Sequence, residues 1–173
     1  FNCRVTNVSI FDYIPSDGSK MSYVSMYGHR NRVDNCYFTG HDVPGVTLVI
    51  WLDGQPNFHR IDHNHFANRI DGQENGWETI RIGTSDMSMS NSKTTVEYNL
   101  FTRVDGEIEI ISNKSGENVY RYNTFKECRG TLTLRHGDRC LVEGNYFLGG
   151  NFSETGGVRV IGRDHIVINN YFE

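Results

Sequence analysis

The chain has 173 residues, enough for one domain with a buried core. Its single alanine and 7 leucines, against 14 valines and 13 isoleucines, exclude a helical bundle and a doubly wound α/β fold, because alanine and leucine favour helices whereas β-branched residues favour sheets. A formal net charge of -4 argues against general nucleic-acid binding, and no apolar run reaches the ~20 residues of a membrane-spanning helix. The composition predicts an almost all-β protein.

A repeat runs through the whole chain. The pattern aliphatic-x-x-Asn-x-Phe recurs, and in one copy Tyr120 replaces the aliphatic residue. Two degenerate copies precede the others. The seven copies are Val5–Ile10, Val33–Phe38, Ile61–Phe66, Val96–Phe101, Tyr120–Phe125, Val142–Phe147 and Val167–Phe172. Their last residues lie 28, 28, 35, 24, 22 and 25 residues apart. A variable repeat of this length without helical patterning predicts one domain over 1–173, a right-handed parallel β-helix of about seven coils.

The repeated asparagines have a structural interpretation. In a β-helix they form a ladder at one bend, where their amides bond to the backbone or to the next asparagine. The phenylalanines and aliphatic residues then stack inside. The 18 glycines and 17 asparagines also suit many sharp bends, since both tolerate left-handed backbone conformations. Leucine-rich repeats have a similar period but need more leucine, and a β-sandwich does not explain the asparagine register.

The chain ends and the cysteines add two expectations. The chain begins at Phe1 without a signal peptide, and we find no polar capping element at either end, so we expect the middle of a longer solenoid. Uncapped coils leave the oligomeric state open. The four cysteines (Cys3, Cys36, Cys128 and Cys140) lack zinc-site spacing. They allow three disulfide connectivities, but buried free thiols are the preferred interpretation.

Between the repeats lie alternating strands that place charges on one face. Thr79–Ile82 points its isoleucines inward and Arg81 outward, and Glu107–Ile110 likewise puts both glutamates outward. Thr131–Arg135 and Val158–Val160 follow the same pattern. If these strands stack as neighbouring coils, one outer face carries Arg81, Glu107, Glu109, Arg135 and Arg159, with Lys114 and His136 nearby.

Two interpretations of this face are open on spacing alone. The Glu-x-Glu pair can converge on a hard cation such as calcium, which prefers carboxylate and amide oxygens. It can equally be a solvated strand face paired with arginines on adjacent coils, and spacing favours that alternative. The concentration of arginines on one face of an acidic chain favours an anionic ligand.

Four blocks in order carry a family resemblance: Asn75–Gly83, Asp105–Ser115, Thr131–Gly137 and Gly156–Gly162. They closely resemble polysaccharide lyase family 6, which comprises alginate lyases and the dermatan sulfate-cleaving chondroitinase B. The resemblance covers essentially the whole chain and implies a right-handed parallel β-helix. It also implies a bacterial secreted or periplasmic location.

The resemblance assigns roles residue by residue. It implies Asn75, Glu107 and Glu109 as calcium ligands, Lys114 as the Brønsted base and Arg135 as the residue described as the acid. Because a guanidinium has a pKa above ~12, we expect Arg135 to stabilise charge or relay a proton instead. The substrate-contacting positions are Arg81, His136 and Arg159, with Tyr23 as a conjectural fourth.

The predicted function is calcium-dependent cleavage of alginate by β-elimination, with an anionic polysaccharide as the partner and neither nucleic acid nor membrane involved. A first alternative keeps the mechanism with dermatan sulfate as substrate. A second alternative is an inactive β-helical fragment that binds carbohydrate or has a structural role. Block preference and endo or exo cutting depend on loops that the sequence does not define.

Overall fold

In a computed structural model, which describes residues 1–73 and 75–173, the chain forms a solenoid of three parallel β-sheets. Successive coils contribute one short strand to each sheet, and each strand pairs with its equivalents in the neighbouring coils. The predicted parallel β-helix is therefore confirmed. Within those two ranges the one helical element is a 3-10 turn, Ser85–Met87, and no helix is long and apolar enough to cross a membrane.

Sheets A and B have seven strands each, and sheet C has six. Sheet A consists of β1 Arg4–Thr6, β4 Arg32–Asp34, β7 Arg60–Asp62, β10 Thr95–Glu97, β13 Val119–Arg121, β16 Leu141–Glu143 and β19 Ile166–Ile168. Sheet B consists of β2 Ser9–Phe11, β5 Tyr37–Thr39, β8 His65–Arg69, β11 Leu100–Val104, β14 Thr124–Lys126, β17 Tyr146–Leu148 and β20 Tyr171–Phe172. Sheet C consists of β3 Val24–Met26, β6 Leu48–Ile50, β9 Ile80–Ile82, β12 Glu109–Lys114, β15 Gly130–His136 and β18 Thr155–Val160.

The interior is built by stacking like residues on like residues. Neighbouring phenylalanine rings of sheet B lie with centroids 4.6 Å (Phe101 to Phe125) to 5.2 Å (Phe38 to Phe66) apart. The full stack is Phe38, Phe66, Phe101, Phe125, Phe147 and Phe172. The spacing is close to the ~4.8 Å between hydrogen-bonded strands, so the pairing of the strands sets the packing of the core.

An asparagine ladder runs along the corner between sheets A and B. Each side-chain amide donates to the side-chain oxygen of the next asparagine over 2.8–3.0 Å. The members are Asn64, Asn99, Asn123, Asn145 and Asn170. Each amide also donates to a backbone carbonyl, as Asn99 does to Ile61 over 2.9 Å. These bonds satisfy buried polar groups at the bend, which confirms the predicted turn-building role.

The left-handed residue at this corner is the one before the ladder asparagine. It is His63, Tyr98 and Tyr122 in three consecutive coils, with φ of 55°, 54° and 56°. Side chains are disfavoured at positive φ, and the sequence analysis attributed such bends to glycine and asparagine. Here the three rings stack on one another outside the corner with centroids 5.1 Å apart, and this stacking offsets the backbone cost.

Sheet C follows the predicted alternation over most of its length. Leu48, Ile80, Ile111 and Leu132 pair in register and are fully buried. The outward row between them runs through Arg81, which pairs with Ser112 of β12. This row lies on the outer side of the sheet, although Ser112 is itself fully buried.

The alternation predicted for residues 107–110 is wrong at its start. β12 begins at Glu109, so Glu107 and Ile108 lie in the bend before it. Ile108 is 55% exposed instead of pointing inward, and Ile110 and Ile111 are both buried. The register against β15 shifts between Glu109 and Ile111. An irregularity of this kind breaks the two-residue period, which the sequence pattern assumed to be uniform.

The cysteines are free thiols. Cys36, Cys128 and Cys140 are buried and Cys3 is exposed. Burial raises the pKa of the Cys128 thiol to about 12 and that of Cys140 to about 11, so both are protonated at neutral pH. The preferred interpretation of buried thiols is thus confirmed for three of the four.

Replacing a central ladder residue should destabilise the solenoid. Asn123→Ala removes a fully buried amide that donates to Asn145 and accepts from Asn99. Because the partners stay buried without it, we expect a loss of about 3 kcal/mol in the free energy of unfolding, measured by urea denaturation. Lys126→Ala, on exposed Lys126 of β14, should change stability by less than about 0.5 kcal/mol. Equal losses in both variants would contradict a stabilising ladder.

Candidate active site

A pocket of about 250 Å³ opens on the outer face of sheet C. Strands β9, β12 and β15 lie side by side there, so residues that are distant in sequence become neighbours. The lining residues are Asn75, Gly76, Glu78, Arg81, Glu107, Glu109, Lys114 and Arg135. The charged face predicted from the strand pattern is thus gathered into one pocket.

Three carboxylates meet at one side of this pocket. Glu78, Glu107 and Glu109 each place one oxygen within 4.8 Å of the other two. Glu78 and Glu109 are buried. Glu107 accepts backbone hydrogen bonds from Gly76 and Trp77 over 2.8 and 3.2 Å. Burial and the neighbouring Glu78 and Glu109 carboxylates nevertheless raise the pKa of Glu107, so this cluster carries concentrated negative charge.

The cations of the pocket pair with the same carboxylates. Arg135 Nη1 donates to Glu109 Oε1 over 2.8 Å, and Arg159 Nη1 lies 3.6 Å from that oxygen. Lys114 Nζ lies 3.8 Å from Glu78 Oε1. Glu78 Oε2 is buried and has no hydrogen-bond partner among the described residues. The buried acids are therefore only partly compensated.

Two of the basic groups have clear charge states. Hydrogen bonding and attraction to Glu109 raise the pKa of the Arg135 guanidinium above its ordinary value, so this group stays charged. His136 is the register partner of Lys114. Partial burial and the positive charges of Arg135 and Lys114 lower the pKa of His136, so its imidazole is neutral at neutral pH.

A buried arginine braces the loop that carries Glu78. Arg69 Nε donates to the carbonyl of Trp77 over 2.8 Å, and the guanidinium lies 5.0 Å from the Trp77 ring centroid. The same guanidinium donates to the carbonyls of His41 and Gly45 over 2.6 and 2.5 Å. Burial lowers the pKa of Arg69 to about 10, which still leaves it charged. One side chain thus ties two loops together directly before Glu78.

The structure brings together most of the predicted site residues. Six of them, Asn75, Arg81, Glu107, Glu109, Lys114 and Arg135, line the pocket, and Arg159 and His136 adjoin it. Tyr23 lies elsewhere. It precedes β3, its hydroxyl donates to the Thr39 carbonyl over 3.1 Å and its ring centroid lies 4.4 Å from that of His41. Its substrate-binding role stays a prediction.

Glu78 is the acidic residue that the sequence analysis did not select. It lies inside the block Asn75–Gly83, two residues before Ile80, and Ile80 pairs with Ile111. Counting back two residues on each strand places Glu78 beside Glu109. The repeat register therefore contained the signal, whereas the Glu-x-Glu pattern within one strand does not include Glu78.

A family model described as Chondroitinase B matches residues 1–173. Among solved structures, the PL6 family alginate lyase AlyGC is 49% identical with a TM-score of 0.95, over 98% of this chain and 24% of that one. The chain is a member of polysaccharide lyase family 6.

Other family 6 structures are similar over the same span. A mannuronic acid-specific lyase from human gut microbiota is 42% identical with a TM-score of 0.92, over 98% of this chain and 40% of that one. An alginate lyase solved with a trisaccharide is 32% identical with a TM-score of 0.91, over 98% and 38%. No curated protein matches the chain significantly. This family 6 chain spans between about a quarter and two fifths of the length of these three proteins.

Relief of charge repulsion gives a test of the acidic cluster. Glu107→Gln in this family 6 chain keeps an oxygen for the N–H groups of Gly76 and Trp77 but removes one negative charge. We expect the free energy of unfolding in the presence of a chelator to rise by about 1 kcal/mol, after allowance for partial solvent exposure. Thermal unfolding measures the change, with Glu127→Gln, at a half-buried position outside the cluster, as control. A lower stability than wild type would contradict net repulsion at this position.

Proposed function

We propose that the chain cleaves a polyuronate, with alginate as the first candidate, by β-elimination. The observation that carries the proposal is one pocket that combines three converging carboxylates with a lysine on the same strand as Glu109 and an arginine on the neighbouring coil. Such a set suits proton abstraction beside a carboxylate, which requires a base together with positive charge for the developing anion.

The reaction sets the demands on the site. In a 1,4-linked uronate the proton at C5 lies next to the carboxylate, and its removal builds a second negative charge on the same group. The bond from C4 to the glycosidic oxygen then breaks, a C4–C5 double bond forms, and the leaving oxygen takes up a proton. Without added positive charge the carboxylate would oppose its own deprotonation.

The acidic residues fit a hard cation. Carboxylate and amide oxygens are the ligands that calcium prefers, and Glu78, Glu107 and Glu109 supply three carboxylates within 4.8 Å. The buried, unpartnered Glu78 Oε2 and the repulsion at Glu107 indicate that this cluster lacks positive charge. We propose these three residues and Asn75 as calcium ligands. When bound, calcium would offset charge on the substrate carboxylate.

Lys114 is the proposed base. It lies at the end of β12 on the pocket side, and Glu78 is its acidic partner at 3.8 Å. With Glu78 engaged as a cation ligand, Lys114 would no longer face a free carboxylate. The neutral amine would then accept the C5 proton as general base.

Arg135 is proposed to stabilise charge and position the glycosidic oxygen. Glu109 raises its pKa, so its proton is less available than that of an ordinary guanidinium. Its five donors suit a carboxylate or a leaving oxygen. The proton needed by the leaving group would reach it through water or from protonated Lys114.

Alginate is favoured over dermatan sulfate by the neighbouring structures, which include alginate lyases at 49% and 32% identity. Dermatan sulfate is the second candidate because the matching family model is described as Chondroitinase B. Both substrates offer a uronate with a C5 proton, so the same residues would act.

One assay tests the proposed function. Alginate and dermatan sulfate are each incubated with the full chain, and ultraviolet absorbance follows the new double bond with and without a calcium chelator. We expect turnover of alginate that chelation suppresses and added calcium restores. Turnover of dermatan sulfate alone would transfer the proposal to the second substrate. Binding of either polymer without any absorbance change would contradict a lyase and favour a carbohydrate-binding role.

The lysine assignment gives a separate prediction. Lys114→Ala should abolish turnover, a loss of at least about 10²- to 10⁴-fold, while calcium binding measured by calorimetry is retained. Lys126→Ala on sheet B is the matched control and should keep wild-type rates. Wild-type activity in Lys114→Ala would show that another group is the base.

A further inference from the structure

Arg81 differs from the other cations of the pocket in having no acidic partner. Lys114, Arg135 and Arg159 each lie within 4.0 Å of a glutamate oxygen. Among the residues that the structure describes, no carboxylate pairs with Arg81, and its Nε is buried without a hydrogen-bond acceptor. Its positive charge is therefore not neutralised by a carboxylate of the described residues 1–73 and 75–173.

Arg81 contacts a pair of stacked aromatic rings instead of an acidic residue. The Arg81 guanidinium lies 5.5 Å from the centroid of the Trp51 ring. On the other side, Tyr27 stacks on Trp51 with centroids 6.1 Å apart and an angle of 13° between the planes. A guanidinium on an indole face is attracted by the ring and keeps its charge. The stack fixes the position of Arg81 without consuming its hydrogen-bonding capacity.

The strand register explains why these rings meet the pocket. Tyr27 and Trp51 directly follow β3 and β6, and Met26 pairs with Ile50, which pairs with Ile82 of β9. The equivalent residue after β9 is Gly83. A Cβ on Gly83, which has a φ of +89°, would lie 2.8 Å from the Leu52 side chain and from the Lys114 carbonyl. Along this edge of sheet C, the rings of Tyr27 and Trp51 are therefore followed by Gly83, which has no side chain, and then by Lys114.

We propose that Trp51, backed by Tyr27, is a positioning residue that presents the unpaired Arg81 guanidinium to a carboxylate of the uronate chain bound in the pocket. This inference rests on the proposed function, because that function identifies the ligand as a uronate. We infer a uronate for two reasons. Arg81 lines the pocket of the proposed reaction, and its unpaired positive charge complements a carboxylate. Trp51 acts through Arg81 and is not itself a catalytic residue.

A double-mutant cycle tests the coupling. Trp51→Leu removes the ring face, Trp51→Phe keeps an aromatic face, and Arg81→Met removes the charge. In the full chain, Trp51→Leu should raise KM for polyuronate by about 5- to 30-fold with a smaller change in kcat, the range expected for loss of a cation–π contact. Trp51→Phe should recover most of the loss. In the Arg81→Met background, Trp51→Leu should change KM by less than about twofold.

A matched control separates this role from general loss of packing. Arg121 lies 5.7 Å from the centroid of the Tyr122 ring, away from the pocket on the side of sheet A. Tyr122→Leu removes a comparable cation–π pair and should leave KM unchanged. Thermal unfolding of every variant checks that the fold is intact. An unchanged KM in Trp51→Leu, or an effect that adds fully to that of Arg81→Met, would overturn the positioning role.

Binding measurements keep this result separate from the lyase assignment. In the Lys114→Ala background, calorimetry with a saturated uronate hexamer should show the same coupling between Trp51 and Arg81. Coupled binding without wild-type turnover would overturn the proposed function and support the positioning role. Wild-type turnover without coupling between the Trp51 and Arg81 variants would support the proposed function and overturn the positioning role. No hexamer binding at all would overturn the positioning role.

Discussion

The structure depends on the register of parallel strands between successive coils. Each coil can stack on the next only if equivalent residues lie opposite one another, at the ~4.8 Å spacing of paired strands. That constraint aligns the buried phenylalanines and the asparagine amides. On the outer face of sheet C the same register brings Glu78 of one coil beside Glu109 of the next. A site made from three coils is thus specified by the packing of the core.

The electrostatics of the pocket oppose the stability of the isolated chain. Burial and like charge raise the pKa of Glu107, and Glu78 keeps a buried oxygen without a partner. Uncompensated buried charge is costly, so the rigid solenoid must hold these acids in place against repulsion. The buried Arg69, which ties the Trp77 carbonyl to a second loop, supplies part of that support. Strained electrostatics of this kind are typical of sites built to bind charge.

The sequence predicted the solenoid well because the residues that repeat are the ones that stack in its interior. Alternation also placed Arg81 and the inward isoleucines of β9 correctly. It failed at Glu107 and Ile108, where the chain bends before β12 and the register shifts. It missed Glu78 because metal-ligand spacing was sought within one strand, whereas the cluster forms between coils. The stacked His63, Tyr98 and Tyr122 at positive φ were equally invisible, since nothing local marks a tyrosine for a left-handed turn.

If these residues perform elimination, no oxygen from solvent enters the products during cleavage. Alginate is cleaved by the full chain in water enriched in heavy oxygen, and the products are analysed by mass spectrometry. Elimination breaks the C4–oxygen bond without adding water, so we expect unsaturated ends that carry no label from the cleavage step. Saturated products with one heavy oxygen per cut would indicate hydrolysis and contradict β-elimination.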